Sequence, residues 1–355
     1  MKFDRRIQDL FGIDLPIIQA PMAGSVGSEM VIAVSEAGGM GSLPCAMLSV
    51  EQARAEIGII RQRTSRAINL NFFCHTPPLP APEREIAWKA HLEPYYRELG
   101  LDPQAPIPNA ARTPFNSEMC DVIAEFRPEV VSFHFGLPEA GLVDRVKATG
   151  AKVISSATSV DEARWLEGQG CDAIIAQGYE AGGHRGIFLS DDIRTQAGTM
   201  ALVPQVVDAV RVPVIAAGGI ADARGIVAAF ALGASAVQIG TAFLLCPEAK
   251  TSAVHRAALK TAKDNSMVLT NVLTGRPARG ILNRLLREVG HLSDLAPAFP
   301  QAGSAVAPLR AKAEAAGSGD FSPLWAGQSA ALAREMPAGD LTRQLADGML
   351  AALRS

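Results

Sequence analysis

Eight short apolar runs, each bounded by Gly or Pro, constrain the fold of this chain more than any other feature. They occupy residues 16–20, 39–43, 67–73, 130–135, 152–157, 173–177, 212–217 and 236–240. Near-continuous apolar runs are typical of strands covered on both faces, and most of these runs precede a segment of helical length. This alternation predicts a (β/α)₈ barrel of the TIM type, with a doubly wound parallel sheet as the alternative.

The 355 residues exceed the roughly 250 that such a barrel needs. We therefore predict an α/β barrel over residues 1–247 and a small helical subdomain over 248–330, with helices near 254–263 and 281–288 and no further strand. A final helix within 331–355, near 341–353, is expected to pack back on the barrel. Earlier in the barrel, Ser159 is a plausible cap for a helix over 161–169, and a helix over 223–232 should end before Gly233.

Prolines are concentrated after the third predicted strand. Nine of the 23 prolines lie between Pro77 and Pro114. This density predicts a long, irregular connection at the end of the barrel where active sites are found. We expect it to cover a pocket.

Charge and cysteine content exclude several classes of protein. The 33 Lys and Arg residues against 36 Asp and Glu give a net charge of −3, and no basic stretch suits a run of phosphates, so nucleic acid is not an expected partner. No apolar stretch has the length of a signal peptide core or membrane span, which predicts a cytoplasmic chain with no membrane partner. Five widely spaced cysteines without a Cys-x-x-Cys pair predict reduced thiols and no metal site.

Glycines follow the seventh and eighth predicted strands. Gly218 and Gly219 come after one, and Gly240 and Thr241 after the other. Glycine lets backbone N–H groups approach an anion, and these two strand ends are a common phosphate site in such barrels, although the glycines could merely end the strands. No dinucleotide fingerprint or P-loop is present, so the pattern favours a mononucleotide such as FMN.

Three amides, Asn71, Gln177 and Gln238, lie at or beside predicted strand ends. An amide offers both donors and acceptors, which suit a flavin ring edge or a ribityl chain. A core amide bonded to backbone is the alternative for each one singly. Three around one mouth favour a polar ligand.

Histidines supply the candidate catalytic group. His184 follows Ala181-Gly182-Gly183, so its imidazole can approach a flat ligand closely and serve as a base, unless it is a solvent-exposed loop residue. His134 alternates with two phenylalanines in a strand and is either functional or a satisfied core residue. His75 is expected to be structural.

Five segments together indicate a family. Residues 19–24 (QAPMAG), 70–75 (LNFFCH), 132–136 (SFHFG), 177–186 (QGYEAGGHRG) and 274–280 (TGRPARG) spread over about three quarters of the chain. In this set and order, the sequence resembles the larger class of the nitronate monooxygenase family. The segment containing Gly-Gly-His alone occurs in other flavin barrels, whereas the whole set is specific.

The resemblance implies an FMN-bound barrel with a helical subdomain. It implies that O₂, without a nicotinamide, converts alkyl nitronates, notably propionate 3-nitronate, to a carbonyl compound and nitrite. By resemblance, His184 is the catalytic base, and FMN contacts fall at Met22, Asn71, Gln177, Gly182, Gly219, Gln238, Ile239, Gly240 and Thr241. We expect His134 to bind the substrate by orienting its nitro group.

Other functions stay open at this stage. An FMN-dependent enoyl reductase would share the barrel and the Ala-Gly-Gly-His segment but use NAD(P)H. A non-catalytic flavin-binding protein and a phosphosugar isomerase are further alternatives. A homodimer is one possible assembly.

Overall fold

The computed structural model describes residues 4–106 and 112–354. The β-strands in these residues are β1 Ile17–Gln19, β2 Gly41–Pro44, β3 Ile68–Phe73, β4 Val130–His134, β5 Lys152–Ala157, β6 Ala173–Gln177, β7 Gly183–His184, β8 Val214–Ala217, β9 Ala236–Ile239, β10 Met267–Thr270 and β11 Ala278–Ile281. The α-helices are α1 Arg6–Phe11, α2 Ser28–Glu36, α3 Val50–Arg63, α4 Pro82–Glu98, α5 Ser117–Phe126, α6 Ala140–Ala148, α7 Val160–Gly168, α8 Thr199–Ala209, α9 Ala223–Ala231, α10 Ala253–Thr261, α11 Arg284–Glu288, α12 Gln301–Ala315 and α13 Ala338–Arg354.

Eight parallel strands form a nearly closed barrel in the order β1-β9-β8-β6-β5-β4-β3-β2. The two end strands of this order meet through a single parallel bridge between Ile18 and Met40. Each of the eight predicted runs overlaps one of these strands, so the predicted TIM-type barrel is confirmed, with β8 and β9 as its seventh and eighth strands. The register sets Gln177 beside Ala217 and Ala217 beside Gln238, which brings three strand ends to one level.

Helix α7 begins where its sequence predicts. The Ser159 side chain accepts a hydrogen bond from the Glu162 N–H, as expected of a cap. Helix α9 buries Ile226 and Phe230 against the barrel and ends just before Gly233, which has a φ of 94°. Both predicted barrel helices are confirmed within one residue at each end.

The segment after the barrel contains strands, contrary to the prediction of none. Strands β10 and β11 pair antiparallel, and β11 also pairs with β7, giving a three-stranded sheet. Ile281 therefore ends a strand instead of starting a helix, and α11 is only five residues long. β7, the second partner of β11, lies almost a hundred residues earlier in the chain, so no local pattern reveals that pairing.

The proline-rich connection is also more ordered than predicted. It contains α4, a helix of 17 residues with Pro82 in its first turn, where a proline needs no N–H bond. The helix packs against α12, since Trp88 Nε1 donates to the Ala302 carbonyl at 3.1 Å and the Tyr96 hydroxyl donates to the Ala305 carbonyl at 2.6 Å. The prediction of an irregular connection was therefore wrong over α4, while 107–111 lie outside the described residues.

The last helix, α13, contacts α2 and α9 on the outside of the barrel. Its buried side chains Leu341, Leu345 and Met349 belong to the main hydrophobic core. Across the ranges described above, none of the helices is both long and apolar enough to cross a membrane.

Candidate active site

A cavity of about 360 Å³ opens at the carboxyl ends of the barrel strands. The residues predicted from the sequence that line it are Met22, Asn71, His134, Gln177, Gly182, His184, Gly219, Gln238, Gly240 and Thr241. Ile239 is the exception, because its side chain is 1% exposed and packs in the barrel core. The fold thus brings all but one of these residues to a single cavity.

The glycines after β8 and β9 form one side of the cavity. Gly218 and Gly219 have φ values of 110° and 71°, a left-handed conformation that favours glycine. In the described part of the chain, the N–H groups of Gly219, Gly240 and Thr241 donate to no protein acceptor. Unpaired N–H groups at the start of the 3₁₀ turn Thr241–Leu245 are suited to an anion.

A late segment of the chain closes over this glycine cradle. The Ser329 hydroxyl donates to the Gly219 carbonyl at 2.6 Å, and the Gly327 N–H donates to Thr241 Oγ1 at 2.9 Å. Gly182 allows this approach, since a Cβ there would lie 2.4 Å from the Gly327 nitrogen. The sequence singled out Gly182 only through the family resemblance.

The three amides differ in what they bind. Gln177 is engaged at both ends, because its Nε2 donates to the His184 carbonyl at 3.0 Å and its Oε1 accepts from the Gly186 N–H at 2.7 Å. Asn71 Nδ2 donates to Ser132 Oγ at 2.9 Å. Only Gln238 has a buried side-chain oxygen that is without a partner among the described residues. A buried amide oxygen in that state indicates a ligand that donates to it.

His184 lies on β7, and its Nε2 is 3.0 Å from the Thr274 hydroxyl. That hydroxyl also donates to the Arg276 carbonyl, at 3.3 Å. Because a hydroxyl has one hydrogen to donate, His184 Nε2 must be the donor to Thr274. The lone pair of the neutral imidazole is then on Nδ1.

Four aromatic rings surround the His184 imidazole. The ring centroids of Phe73, Phe135, Phe299 and Trp325 lie 6.2, 6.0, 5.3 and 5.6 Å from it. Burial holds the pKa of His184 well below its usual range, and the positive charges of Arg112 and Arg276 act in the same direction. The imidazole is therefore neutral at pH 7 and able to accept a proton.

His134 has both ring nitrogens occupied. Its Nε2 donates to the His184 carbonyl at 3.2 Å, since a carbonyl can only accept, which leaves Nδ1 to accept from the Ser156 hydroxyl at 3.1 Å. Burial lowers its pKa to about 4, so it too is neutral. His134 and Gln177 thus donate to the same carbonyl and fix the position of β7.

Several residues of the site escaped the sequence reasoning. Thr274 lies in a family-like segment but had no assigned role. Arg185 is fully buried and donates to the Gly178 and Gln177 carbonyls at 2.7 and 2.8 Å, which anchors the loop before β7. Phe299, Trp325 and Arg112 had no local signal, because they come from segments outside the barrel strands. Trp325 and Arg112 line the cavity, and Phe299 packs against the His184 ring.

Comparisons with known proteins identify the family of this chain. The family described as nitronate monooxygenase matches residues 4–348. A nitronate monooxygenase from Pseudomonas aeruginosa is 43% identical over 344 residues, which cover 96% of this chain and 98% of the relative. A solved nitroalkane oxidase from Streptomyces ansochromogenes has a TM-score of 0.90 at 37% identity, covering 98% of this chain and 99% of that one.

A second solved structure, FabK from Thermotoga maritima, is less similar. Its TM-score is 0.76 at 28% identity, with 99% of this chain and 98% of that one covered. The family match and the high-coverage relative decide the assignment. The chain is an enzyme and belongs to the nitronate monooxygenase family.

Proposed function

We propose that this enzyme uses FMN and O₂ to oxidise alkyl nitronates, notably propionate 3-nitronate, to a carbonyl compound and nitrite. The observation on which the proposal rests is that a neutral histidine and an anion cradle of unpaired N–H groups share one cavity. Family membership supports it, since nitronate monooxygenases are flavin-dependent in general. The similarity to a structure named nitroalkane oxidase points to the same class of substrate.

The cradle and its surroundings fit FMN. The unpaired N–H groups of Gly219, Gly240 and Thr241 suit a terminal phosphate, and the Gln238 oxygen suits a donor on the ring or ribityl chain. Met22, Asn71 and Gly182 line the same cavity, and Gln177, which also lines it, holds the backbone of β7 in place. Ile239 would contribute through its backbone, because its side chain lies in the core. When bound, FMN supplies the electron-accepting ring.

His184 has two roles in this proposal, one for each form of substrate. For a neutral nitroalkane, Nδ1 removes the α-proton, because Nε2 is held as a donor by Thr274. For a pre-formed nitronate no proton transfer is needed, and His184 forms part of the binding wall. His134 contributes its ring face to the substrate site, because both of its nitrogens are engaged.

The second candidate function is an FMN-dependent enoyl reductase that uses NAD(P)H. The likeness to FabK and the Ala-Gly-Gly-His segment favour it. Anaerobic mixing with NADH or NADPH at micromolar concentrations separates the two functions. Rapid bleaching of the flavin would support the reductase and contradict our proposal.

The direct test is aerobic turnover of propionate 3-nitronate by the purified holoenzyme, with O₂ uptake and nitrite release followed together. The flavin released by heat should be FMN, identified by chromatography against FAD. Stoichiometric nitrite with O₂ uptake would support the proposal, and absence of both in a protein loaded with FMN would refute it. The cytoplasmic location and the homodimer stay predictions from the sequence.

A further inference from the structure

Arg112 is a half-buried cation on the cavity wall with no anion to balance it. Among the described residues, its guanidinium has neither a carboxylate partner nor a hydrogen-bond acceptor, and its Cζ lies over the Phe299 ring, 5.4 Å from the centroid. Its backbone is fixed, since His75 Nε2 donates to the Arg112 carbonyl at 3.1 Å. A partly desolvated and unpaired guanidinium is suited to an anionic ligand.

The other charged side chains of the cavity are already paired. Arg310 Nε is 2.8 Å from the Glu314 carboxylate, and Lys250 Nζ is 2.8 Å from the Glu56 carboxylate. Glu314 is thus neutralised as well. Within the described lining, Arg112 is the cation left to attract a ligand.

Arg112 and His184 both lie close to the Phe299 ring. The His184 imidazole is 5.3 Å from the Phe299 centroid and the Arg112 Cζ is 5.4 Å from it. A ligand that reacts beside His184 and pairs with Arg112 must therefore be short. Arg112 is also distinct from the glycine cradle, which is built by the ends of β8 and β9 and closed by residues 327–329.

We propose that Arg112 binds a carboxylate on the tail of the substrate and makes the enzyme selective for short nitronates that carry one. This rests on the proposed function, and propionate 3-nitronate has the required form, with one methylene between its carboxylate and its reacting carbon. Guanidinium and carboxylate form paired hydrogen bonds in one plane, whereas a lysine would offer only a point charge.

The test compares two nitronates that differ only in tail charge, propionate 3-nitronate and the nitronate of 3-nitropropanamide. Arg112→Met should lower kcat/KM for the carboxylate substrate by about 10- to 100-fold, as expected for lost charge-assisted hydrogen bonds, and change the amide substrate little. For the carboxylate substrate, the kcat/KM of Arg112→Lys should lie between those of the wild type and Arg112→Met. Arg145→Met, which breaks an exposed ion pair with Asp121, is the control for loss of a positive charge elsewhere.

A binding measurement complements the kinetics. Succinate should inhibit the wild-type holoenzyme competitively, and its inhibition constant should rise by about 10- to 100-fold in Arg112→Met. Butyrate should inhibit the wild type and the variant only weakly. FMN content and melting temperature of each variant show whether the fold and cofactor are intact.

The outcomes separate this inference from the function on which it rests. If wild type turns over neither nitronate, the proposed function fails. If wild type turns over both and Arg112→Met lowers both equally, Arg112 pairs with the nitronate group and the tail assignment is wrong. If the substitution changes neither substrate, Arg112 binds no part of either one, and the inference is also overturned.

Discussion

Replacing Gly240 with Ala should weaken FMN binding while leaving the stability of the apoprotein almost unchanged. Gly240 has φ −109° and ψ −78°, which an L-residue can adopt without left-handed strain. A Cβ built there lies 3.5 Å from the Ala20 Cβ and 3.6 Å from the Met22 sulfur, which are ordinary contacts. The new methyl group therefore fits the apoprotein, and the free energy of unfolding of the apoprotein should change by less than about 0.5 kcal/mol.

The same methyl group narrows the cradle that we assign to the phosphate. Loss of one charge-assisted hydrogen bond, at about 1.5 to 3 kcal/mol, would raise the Kd for FMN by roughly 10- to 150-fold. At a fixed FMN concentration, a 100-fold rise removes about 2.7 kcal/mol of ligand-linked stability. In a chain of this size, that lowers the melting temperature of the FMN complex by roughly 3 to 5 °C.

The assay is fluorescence titration of apoprotein with FMN, together with thermal melts of the apo and FMN-bound forms. Gly58→Ala is the matched control, because a Cβ at this site in α3 meets nothing within 4 Å and Gly58 is not one of the residues that line the cavity. Gly219→Ala is a poorer probe, since its φ of 71° would strain any side chain. An unchanged FMN affinity in Gly240→Ala and in the bulkier Gly240→Val would refute the cradle assignment.

Three further predictions concern the histidines. His184→Asn, at equal FMN occupancy, should lower turnover of neutral nitroalkanes by about 10²- to 10⁴-fold and retain part of the activity on pre-formed nitronates; equal losses on both would mean that His184 only binds. Thr274→Val should lower nitroalkane turnover by about tenfold, because Nε2 loses its acceptor, whereas Thr274→Ser should restore it; steady-state kinetics showing no difference between the two variants would contradict the hydrogen-bond argument. The free energy of unfolding, measured in urea, should be constant above about pH 6.5 and fall as the pH drops toward about 4. His134 and His255 have pKa values of about 4 in the folded protein, whereas in the unfolded chain they bind protons at about pH 6.5, so acid favours the unfolded state. His255→Asn should flatten this dependence, and an unchanged slope would assign it to other groups.

The sequence predicts the barrel well because the evidence for its strands is local. Each parallel strand is buried on both faces, so it appears as a short apolar run between Gly or Pro residues. The cap at Ser159 is equally local, since the residue that it bonds is three positions away. The β7–β11 pairing is not local, and β7 itself is only two residues long. No periodicity can identify a strand of that length.

The candidate site divides in the same way. Gly219, Gly240 and His184 are predictable because each follows a barrel strand or belongs to a short motif, and the fold itself brings strand ends together. The aromatic wall is not predictable, because Phe299 and Trp325 come from segments beyond the barrel and reach His184 only through tertiary packing. The engagement of Gln177 by the His184 carbonyl and the Gly186 N–H is likewise visible only in three dimensions.

The positive charges near His184 act unequally on the two forms of substrate. Arg112 and Arg276 lower the pKa of the imidazole, so they oppose formation of the imidazolium that proton abstraction from a nitroalkane would create. The same charges stabilise the nitronate anion, which partly offsets that cost for a neutral substrate. Oxidation of a pre-formed nitronate requires no imidazolium. The two arginines therefore stabilise the bound anion without opposing any proton transfer. Burial of His184 in an aromatic wall adds to this difference, because a low-dielectric site disfavours the separated charges of an ion pair being created there. The electrostatics of the cavity therefore favour nitronates over their parent nitroalkanes, whichever residue binds the tail.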